Sequence, residues 1–510
     1  MLTAVRTLEI QLHRGNGDLP DFAAQTARSL TVDLRSSKVR AVIHRDSDGV
    51  HWTILPEFAP LLDEVLRSPG ELVKASPVKR VTRHHAGGSV FYIKRYLHHA
   101  VALRPLKYLF KPTQAREEWD CAQALEARVI PIVRHVALGE RRTWCGIQES
   151  ILVTQGFDGV EAGGMGDLDA TAVVRFVEQM HERGVVQEDL HLANLLVRRE
   201  PMDIRLVDLH GIKVFDQLTA AQRQSNLALL RVFLPFRAAP EIEAQSRELR
   251  KRLFHERSWR CLRRNRDFSA QRHDGLKWQV RVPLLNAAAL RVLADPDGFL
   301  QTRATILKPG RTSTVGKADG LVLKRFNFRK VQNLFKDLFR RSRAERAFQK
   351  AYHLELVGVP TARPVAAAQR RVCGVLLRSY ILMEELRGVT ELGAWIKAGH
   401  QPDAGLVRDL ARLIARLHDE GFSHRDLKFS NIVIGADRRL SVLDLDGLVF
   451  VHTLPESRAA GDLERFARAA EALPGLSARW RPLFVRTYCR ARRLQQMPRS
   501  HGATGSFGGQ

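Results

Sequence analysis

His424-Arg425-Asp426-Leu427-Lys428-Phe429-Ser430-Asn431, followed closely by Asp444-Leu445-Asp446-Gly447, is the stretch whose reading decides the fold. Asp426 and Asn431 stand five positions apart, and Ile432 to Leu443 reads as a short β-hairpin that delivers Asp444. Phosphoryl transfer requires a carboxylate beside the acceptor hydroxyl and two oxygen ligands that hold Mg²⁺ against the phosphates. One loop and the next strand end bring all three together. Asp426 is therefore expected to act as base or hydroxyl orienter, and Asn431 and Asp444 to bind the metal. Lys428, two positions past the base, is expected to contact the transferring phosphate.

The pattern occurs twice in the 510 residues. Gln187-Glu188-Asp189-Leu190-His191-Leu192-Ala193-Asn194 matches the loop above, and Asp208-Leu209-His210-Gly211 matches Asp444-Leu445-Asp446-Gly447. Upstream, Asp48-Gly49-Val50-His51-Trp52 recurs as Asp274-Gly275-Leu276-Lys277-Trp278. Tyr92-Ile93-Lys94-Arg95-Tyr96 recurs as Val322-Leu323-Lys324-Arg325-Phe326, and Ile151-Leu152-Val153 as Ile381-Leu382-Met383. The order is kept and the offset drifts by only a few residues, as loop insertions would produce. The expected architecture is α+β: two tandem protein-kinase-like bilobal domains, each with a β-rich N-lobe and a helical C-lobe. Their expected bounds are 1–262 and 263–499, with a disordered Gly- and Ser-rich tail at 500–510. The basic run Arg247 to Arg266 lacks Gly and Pro, and its apolar Leu249, Leu253, Trp259 and Leu262 suit a final helix of the first domain rather than a flexible linker.

In the second half, Leu321-Val322-Leu323 delivers Lys324 as a strand end would, and this lysine is expected to bridge the nucleotide phosphates. Its expected helix partner is Glu345; in the first half the pair is Lys94 with Glu117, with Glu118 an open rival. Asp189, Asn194 and Asp208 repeat the base and metal set. A G-x-G-x-x-G phosphate cover is missing upstream of either lysine. Pro309-Gly310 and Gly316, or Gly87-Gly88, are what remains, and these glycines read equally well as hairpin turns. The strands at Ile151 and Ile381 occupy the hinge position, so the backbone at Thr154-Gln155 and Glu384-Glu385 is a candidate for adenine contact; an ordinary buried strand is the competing reading. Leu406 to His418 and Ala172 to His181 carry helical apolar spacing and are expected to be core helices.

A formal charge of +26 points to an anionic partner. Val331, Leu334, Phe335, Leu338 and Phe339, set among Lys330, Lys336, Arg340, Arg341 and Arg343, form a basic amphipathic stretch. Leu106, Tyr108, Leu109 and Phe110 beside Lys107 and Lys111 are its first-half counterpart. Such a stretch suits an inner leaflet or a phosphorylated glycolipid, or else packs on its own lobe with a solvated charged face. No motif that reads nucleic acid accompanies the charge, so that partner is a minor option. The five scattered cysteines lack CxxC spacing and fit a reducing compartment. Met1 to His13 lacks the apolar core of a signal peptide, and no apolar run approaches bilayer length. A cytoplasmic protein, soluble or peripheral at the inner face of a membrane, is expected.

Each half resembles the lipopolysaccharide kinase (Kdo/WaaP-type) family. The resemblance is carried by Lys94-Arg95-Tyr96 and Lys324-Arg325-Phe326, by Arg116-Glu117-Glu118-Trp119 and Val359-Pro360-Thr361, by the two D-x-x-x-x-N loops, and by Asp208-Leu209-His210. It implies a kinase that uses ATP and Mg²⁺ to phosphorylate a heptose or Kdo hydroxyl of the lipopolysaccharide inner core. The short run from Asp444 to Pro455 and the missing A-P-E motif also leave little room for a peptide acceptor. A protein Ser/Thr or Tyr kinase and a tandem pseudokinase scaffold are the alternatives. The first half keeps Lys94, Asp189, Asn194 and Asp208 but has Gln187-Glu188-Asp189 where the second has His424-Arg425-Asp426, so turnover is expected in the second half.

Overall fold

The structure is a computed structural model, and it describes residues 41–76, 78–98, 108, 111–144, 146–327, 340–473 and 480–496. The amino-terminal segment, the tail at 500–510 and, apart from Tyr108, Lys111, Arg340, Arg341 and Arg343, the named residues of the two basic amphipathic stretches lie outside the described residues. The chain divides into two compact units, Met1–Asp158 and Gly159–Gln510.

The first unit is built on one antiparallel sheet. Its strands are β1 (Ile43–Ser47), β2 (Val50–Ile54), β3 (Glu71–Ala75), β4 (Lys79–Ala86), β5 (Ser89–Leu97), β6 (His135–Thr143) and β7 (Gly146–Gln155), in the order β1-β2-β6-β7-β5-β4-β3. Asp48-Gly49 turns β1 into β2 with both residues left-handed (φ 53° and 71°), the geometry that Asp-Gly supplies at little steric cost. Gly87-Gly88 does the same between β4 and β5 (φ 51° and 71°), so these glycines form a hairpin turn and not a phosphate cover. Helix α1 (Leu62–Arg67) precedes β3, and α2 (Gln114–Ala127) lies between β5 and β6. Ala115, Glu118, Trp119, Ala122 and Leu125 of α2 are buried at helical spacing, against a core of Trp52, Ile93, Leu138 and Leu152.

The second unit begins with the helical part of the first copy. It contains β8 (Val160–Glu161), α3 (Ala170–Glu182), β9 (Val185–Gln187), β10 (Leu195–Arg198), β11 (Asp203–Leu206), β12 (Ile212–Val214), α4 (Ala220–Phe233) and α5 (Pro240–Ser258). The whole second copy follows. Strands β13 (Phe268–His273), β14 (Leu276–Arg281), β15 (Thr305–Pro309), β16 (Ser313–Ala318), β17 (Leu321–Phe326), β18 (Pro364–Val372) and β19 (Val375–Glu384) pair in the order β13-β14-β18-β19-β17-β16-β15, strand for strand the order of the first sheet. The same edge defect recurs as well: the register shifts between Leu72 and Lys74 in β3 and between Ile306 and Lys308 in β15. Helices α6 (Ala287–Ala294) and α7 (Arg343–Leu356) flank this sheet. Below it lie β20 (Val389–Glu391), α8 (Leu392–Lys397), α9 (Ala404–Asp419), β21 (Phe422–His424), β22 (Ile432–Gly435), β23 (Leu440–Val442), β24 (Leu448–Phe450), α10 (Glu456–Glu471) and α11 (Trp480–Gln496).

The amphipathic Leu406 to His418 pattern is α9, capped by Asp403, whose side chain accepts from the Leu406 N–H. Its apolar side chains Leu406, Leu410, Leu413, Ile414 and Leu417 enter a core with Phe422, Ile432 and Phe466. The basic run after residue 247 is helical, and α5 does not end its own copy at a distance from the next. Its Phe254 packs on the core of the second copy, Gln349 of α7 hydrogen-bonds Ser258, and Arg250 pairs with Glu420 at the end of α9. Cys261, just beyond, sits in a cluster with Phe268 and Phe348.

Candidate active site

The catalytic loop of the second copy is held from beneath by one buried carboxylate. Asp462, on α10, is fully buried; it accepts the His424 N–H at 2.7 Å and the Ser423 hydroxyl at 3.1 Å, and lies 3.3 Å from His418 Nε2 on α9. Burial alone would raise its pKa, but these donors hold it below the usual carboxylate range. The His424 ring is completed by two further bonds. The Asp426 N–H donates to Nδ1 at 3.2 Å and Nε2 faces the Leu443 oxygen at 3.3 Å, which assigns the proton to Nε2. Burial keeps this histidine neutral, its pKa lowered. Thus His424 is no acid or base; it ties the strand before Asp426 to the strand end before Asp444.

With the loop fixed, the chemical groups fall into place. The Asp426 carboxylate is half exposed, and Lys428 Nζ lies 2.8 Å from its Oδ2. Asn431 donates from Nδ2 to the Asp426 main-chain oxygen at 2.7 Å, which leaves Oδ1 as the atom able to ligate a cation. Asp444 takes a left-handed backbone (φ 51°, ψ 68°), uncommon for a non-glycine residue although aspartate adopts it more readily than most. Its carboxylate receives Lys324 Nζ at 2.9 Å, and that ammonium overcomes the effect of burial and holds the Asp444 pKa down. Two hard oxygen donors on adjacent elements, with the remaining positions left to phosphate and water, suit Mg²⁺. Asp426, Lys428, Asn431, Asp444 and Lys324 are therefore brought together as the sequence led us to expect.

Glu345 is not part of that group. Its carboxylate closes a capping box with Ser342 at the start of α7 and accepts from Gln369 Nε2 at 2.8 Å. The expected Lys324–Glu345 pair is thus replaced: Lys324 Nζ reaches Asp444 and, at 3.1 Å, Asp446. The first copy explains why. There Arg116, at the position of Glu345 one turn into the helix, pairs with Glu140 of β6, the counterpart of Gln369, at 3.2 Å. Glu345 thus belongs to the helix-to-sheet tie and not to the lysine. In the first copy the lysine partner is Glu118 and not Glu117: Lys94 Nζ lies 2.5 Å from Glu118 Oε1, while Glu117 faces solvent. Tyr96 Oη and His135 Nε2 approach the same carboxylate at 3.2 and 3.5 Å, and Lys94 with His135 keeps Glu118 ionised against its burial.

At the hinge position the N–H donors are already engaged, and in the first copy the Gln155 N–H donates to Arg134 O at 2.9 Å. The Glu384 N–H donates to Arg363 O and the Glu385 N–H to Gly320 O, at 2.9 and 2.8 Å, and their carboxylates pair with Arg363 and Lys317. With both donors consumed by the lobe itself, neither N–H is available to a base. Pro309-Gly310 begins the turn from β15 to β16, where the Gly310 N–H bonds Ser313 O at 3.1 Å, whereas Gly316 lies inside β16 with no room for a side chain.

The first-copy loop keeps the scaffold in neutral form. Asn194 Nδ2 donates to Asp189 O at 2.9 Å, as Asn431 does to Asp426. Gln187, in the place of His424, donates to the main-chain oxygens of Asp208 and His210, both at 3.1 Å. Asn226 of α4, in the place of Asp462, donates to Gln187 O at 2.7 Å and meets His181 Nε2 at 3.0 Å. His191 stands where Lys428 does, 3.6 Å from Asp189. Asp208 does not share the left-handed backbone of Asp444. Lys94 belongs to the other unit, so Asp189, Asn194 and Asp208 form a described group without it.

Sequence reasoning did not assign roles to Asp462, Asp446, Arg343 or Lys350. Lys350 of α7 is largely buried, which lowers its pKa to about 8, and its ammonium reaches the main-chain oxygens of Leu445 and Asp446 at 3.2 and 3.4 Å. Asp446 was legible as a departure from the first copy, which has His210 there; Asp462 is one acidic residue among several on an amphipathic helix and carried no signal.

Two seven-stranded sheets in the same order, each flanked by a helix on its lysine strand, and two D-x-x-x-x-N loops with a following acidic strand end define a tandem protein-kinase-like chain. The lipopolysaccharide kinase (Kdo/WaaP) family description matches residues 62–253 and 309–488, and the chain belongs to that family. A 3-deoxy-D-manno-octulosonic acid kinase of Vibrio cholerae serotype O1 is 28% identical over 131 residues, 26% of this chain and 54% of the relative. One of Xylella fastidiosa strain 9a5c is 32% identical over 106 residues, 21% of this chain and 41% of the relative. The chain thus spans about half the length of the curated relatives it matches. Among solved structures, WaaP in complex with acyl carrier protein is 23% identical, covers 39% of this chain and 85% of its own, and gives a TM-score of 0.31. Monomeric WbdD is 16% identical, covers 36% of this chain and 45% of its own, and gives 0.25.

Proposed function

We propose that this chain is an ATP- and Mg²⁺-dependent kinase that phosphorylates a hydroxyl of a lipopolysaccharide inner-core sugar, Kdo or heptose, with turnover in the second copy. The observation that carries the reading is the convergence of Asp426, Lys428, Asn431, Asp444 and Lys324 about one loop and the strand end after it, with Asp444 in a left-handed conformation. Bound Mg-ATP would supply the transferable phosphoryl group and the cation that neutralises it. Asp426 orients the acceptor hydroxyl and accepts its proton; Asn431 Oδ1 and the Asp444 carboxylate hold the cation; Lys324 and Lys428 offset phosphate charge. In sequence the first copy retains Lys94, Asp189, Asn194 and Asp208, the residue types that positioning Mg-ATP requires.

The acceptor class is supported by the family and by the loop after Asp444. That segment runs only through β24, paired with β21, before α10 begins at Glu456. No long activation segment is present to seat a peptide. The charge of +26 favours an anionic glycolipid, and we place the protein at the cytoplasmic face of the inner membrane. No helix among the described residues is long and apolar enough to cross a membrane. The domain bounds we propose are 1–262 and 263–499.

The test is transfer of labelled phosphate from ATP/Mg²⁺ to purified core lipopolysaccharide by wild type, Asp189→Ala, Asp426→Ala and the double variant. Label that disappears with Asp426→Ala and survives Asp189→Ala supports the assignment. Loss of part of the label with each single variant would make both copies active. No label with wild type would overturn the glycolipid reading in favour of a protein acceptor or a scaffold.

A further inference from the structure

The two copies hold their nucleotide lysine with carboxylates from different places. In the first copy the carboxylate comes from the helix: Glu118, fifth residue of α2, takes Lys94 Nζ at 2.5 Å, with side chains 11% and 5% exposed. Helix α7 has the same fourteen-residue length and the same kind of cap, Ser342 for Thr113, so its fifth residue is Ala347. Tyr96 and His135, the other two side chains on Glu118, have been replaced along with it. Tyr96 becomes Phe326, and His135, the first residue of β6, becomes Pro364, the first residue of β18. The site vacated by the carboxylate is apolar, and Ala347 is 5% exposed among Phe326, Phe348 and Ile381.

The missing charge reappears on the loop. Asp446 takes Lys324 Nζ at 3.1 Å and Arg343 of α7 at 2.9 Å, and Lys350 of α7 reaches the Leu445 and Asp446 main-chain oxygens. The first copy has His210, Gln114 and Cys121 at these three places, none of which could make the set. A carboxylate has moved from helix to loop, and two cations have been added on the helix to hold the loop that carries it. Among the described residues the other carboxylate on Lys324 is that of Asp444, the candidate cation ligand.

We propose that Asp446 is the positioning residue for Lys324, holding the ammonium toward the phosphates in the role Glu118 has for Lys94. This rests on the kinase reading above. Asp446 acts through the lysine, so its loss is expected to weaken nucleotide binding whether or not Mg²⁺ is present. A metal ligand would matter only with Mg²⁺.

The experiment is calorimetric titration of the full chain with ADP, with and without Mg²⁺, together with the KM for ATP, kcat and the nucleotide-free melting temperature. Asp189→Ala and Asp208→Ala are placed in the background to silence the first copy. Asp446→Asn is expected to weaken ADP binding about tenfold in both conditions, the size of a lost charge-assisted contact, and to raise KM more than it lowers kcat. Adding Ala347→Glu to Asp446→Asn, so that the helix again carries the carboxylate, is expected to recover most of the loss. ADP affinity unchanged by Asp446→Asn would overturn the proposal, and so would a loss confined to Mg²⁺-containing buffer. A double variant that melts like wild type yet recovers no affinity would overturn it too. Failure of the silenced parent to bind ADP at all would instead sink the kinase reading on which the proposal stands.

Discussion

The loops ending in Asn431 and Asn194 have nearly the same hydrogen-bond skeleton and opposite electrostatics. Beneath the second lies Asp462, a buried carboxylate contacting His418, Ser423 and the His424 N–H; beneath the first lies Asn226, an amide contacting His181 and Gln187. Where the second copy has a ring, His424, tying Asp426 to Leu443, the first has the Gln187 amide tying its own strand to Asp208 and His210. The skeleton is a matter of donors and acceptors, and neutral groups meet it. What the neutral version lacks is the left-handed Asp444 and the lysine beside the base. Duplication has preserved the base and metal positions in both copies and the charged support beneath the loop in only one.

That contrast can be broken most directly at the base. Asp426→Ala is expected to lower phosphate transfer about 10²- to 10⁴-fold while far-ultraviolet circular dichroism stays unchanged, and Asp189→Ala to leave most of the turnover. Equal losses from the two would erase the distinction between the copies. Beneath the loops, Asp462→Ala leaves the His424 N–H and Ser423 without their acceptor. It should cost about 3 kcal/mol in urea unfolding, against about 1–2 kcal/mol for the neutral Asn226→Ala. The lysine partners separate in the same way. Glu118→Ala strands a buried ammonium and should cost about 3 kcal/mol, whereas Glu345→Ala removes a capping box and should cost about 1 kcal/mol.

A further effect, centred on His353 of the second copy, is acid sensitivity. His353 of α7 is buried against His255, Phe422 and Phe450, with His452 close by, and burial with His255 pushes its pKa down to about 3. A histidine whose folded pKa lies below its unfolded value binds fewer protons folded than unfolded. Its contribution is therefore full above about pH 6.5 and is lost as pH falls toward 3, by at most about 1.4 kcal/mol per pH unit. His353→Phe should make the acid limb of the stability curve shallower between pH 6 and pH 4; an unchanged slope would place the acid sensitivity elsewhere.

Much of this was legible because duplication supplied its own control. The lysine strands, Asp426, Asn431 and Asp444 with their first-half matches, and α9 follow from period and spacing, which local backbone geometry obeys. The lysine partner did not. Glu345 and Glu117 sit one turn into helices whose sequences suggest a carboxylate there, but the phase of a helix against its sheet is set by packing. Trp119 and Phe348 turn inward, which puts Glu118 and Ala347 toward the lysine and leaves Glu117 outside. The engaged hinge donors were illegible for another reason: a strand end advertises its N–H groups in sequence, but that the Arg363 and Gly320 oxygens already accept those of Glu384 and Glu385 is a tertiary fact. Asp462 was illegible because a buried acid and a surface acid on an amphipathic helix are written with the same letter.

Helix α5 belongs to the first copy by descent and to both by burial, since it packs on α4 and also lends Phe254, Ser258 and Arg250 to the second. A duplication joined in this way works as a ratchet. Deleting the first copy by a clean cut at Arg263 would strip α7 and Glu420 of partners and uncover an apolar face, so a shortened descendant would fold poorly unless it kept the chain from Pro240 onward. The last helix of the first copy is therefore retained by its packing on the second, whatever becomes of the chemistry of the copy it came from.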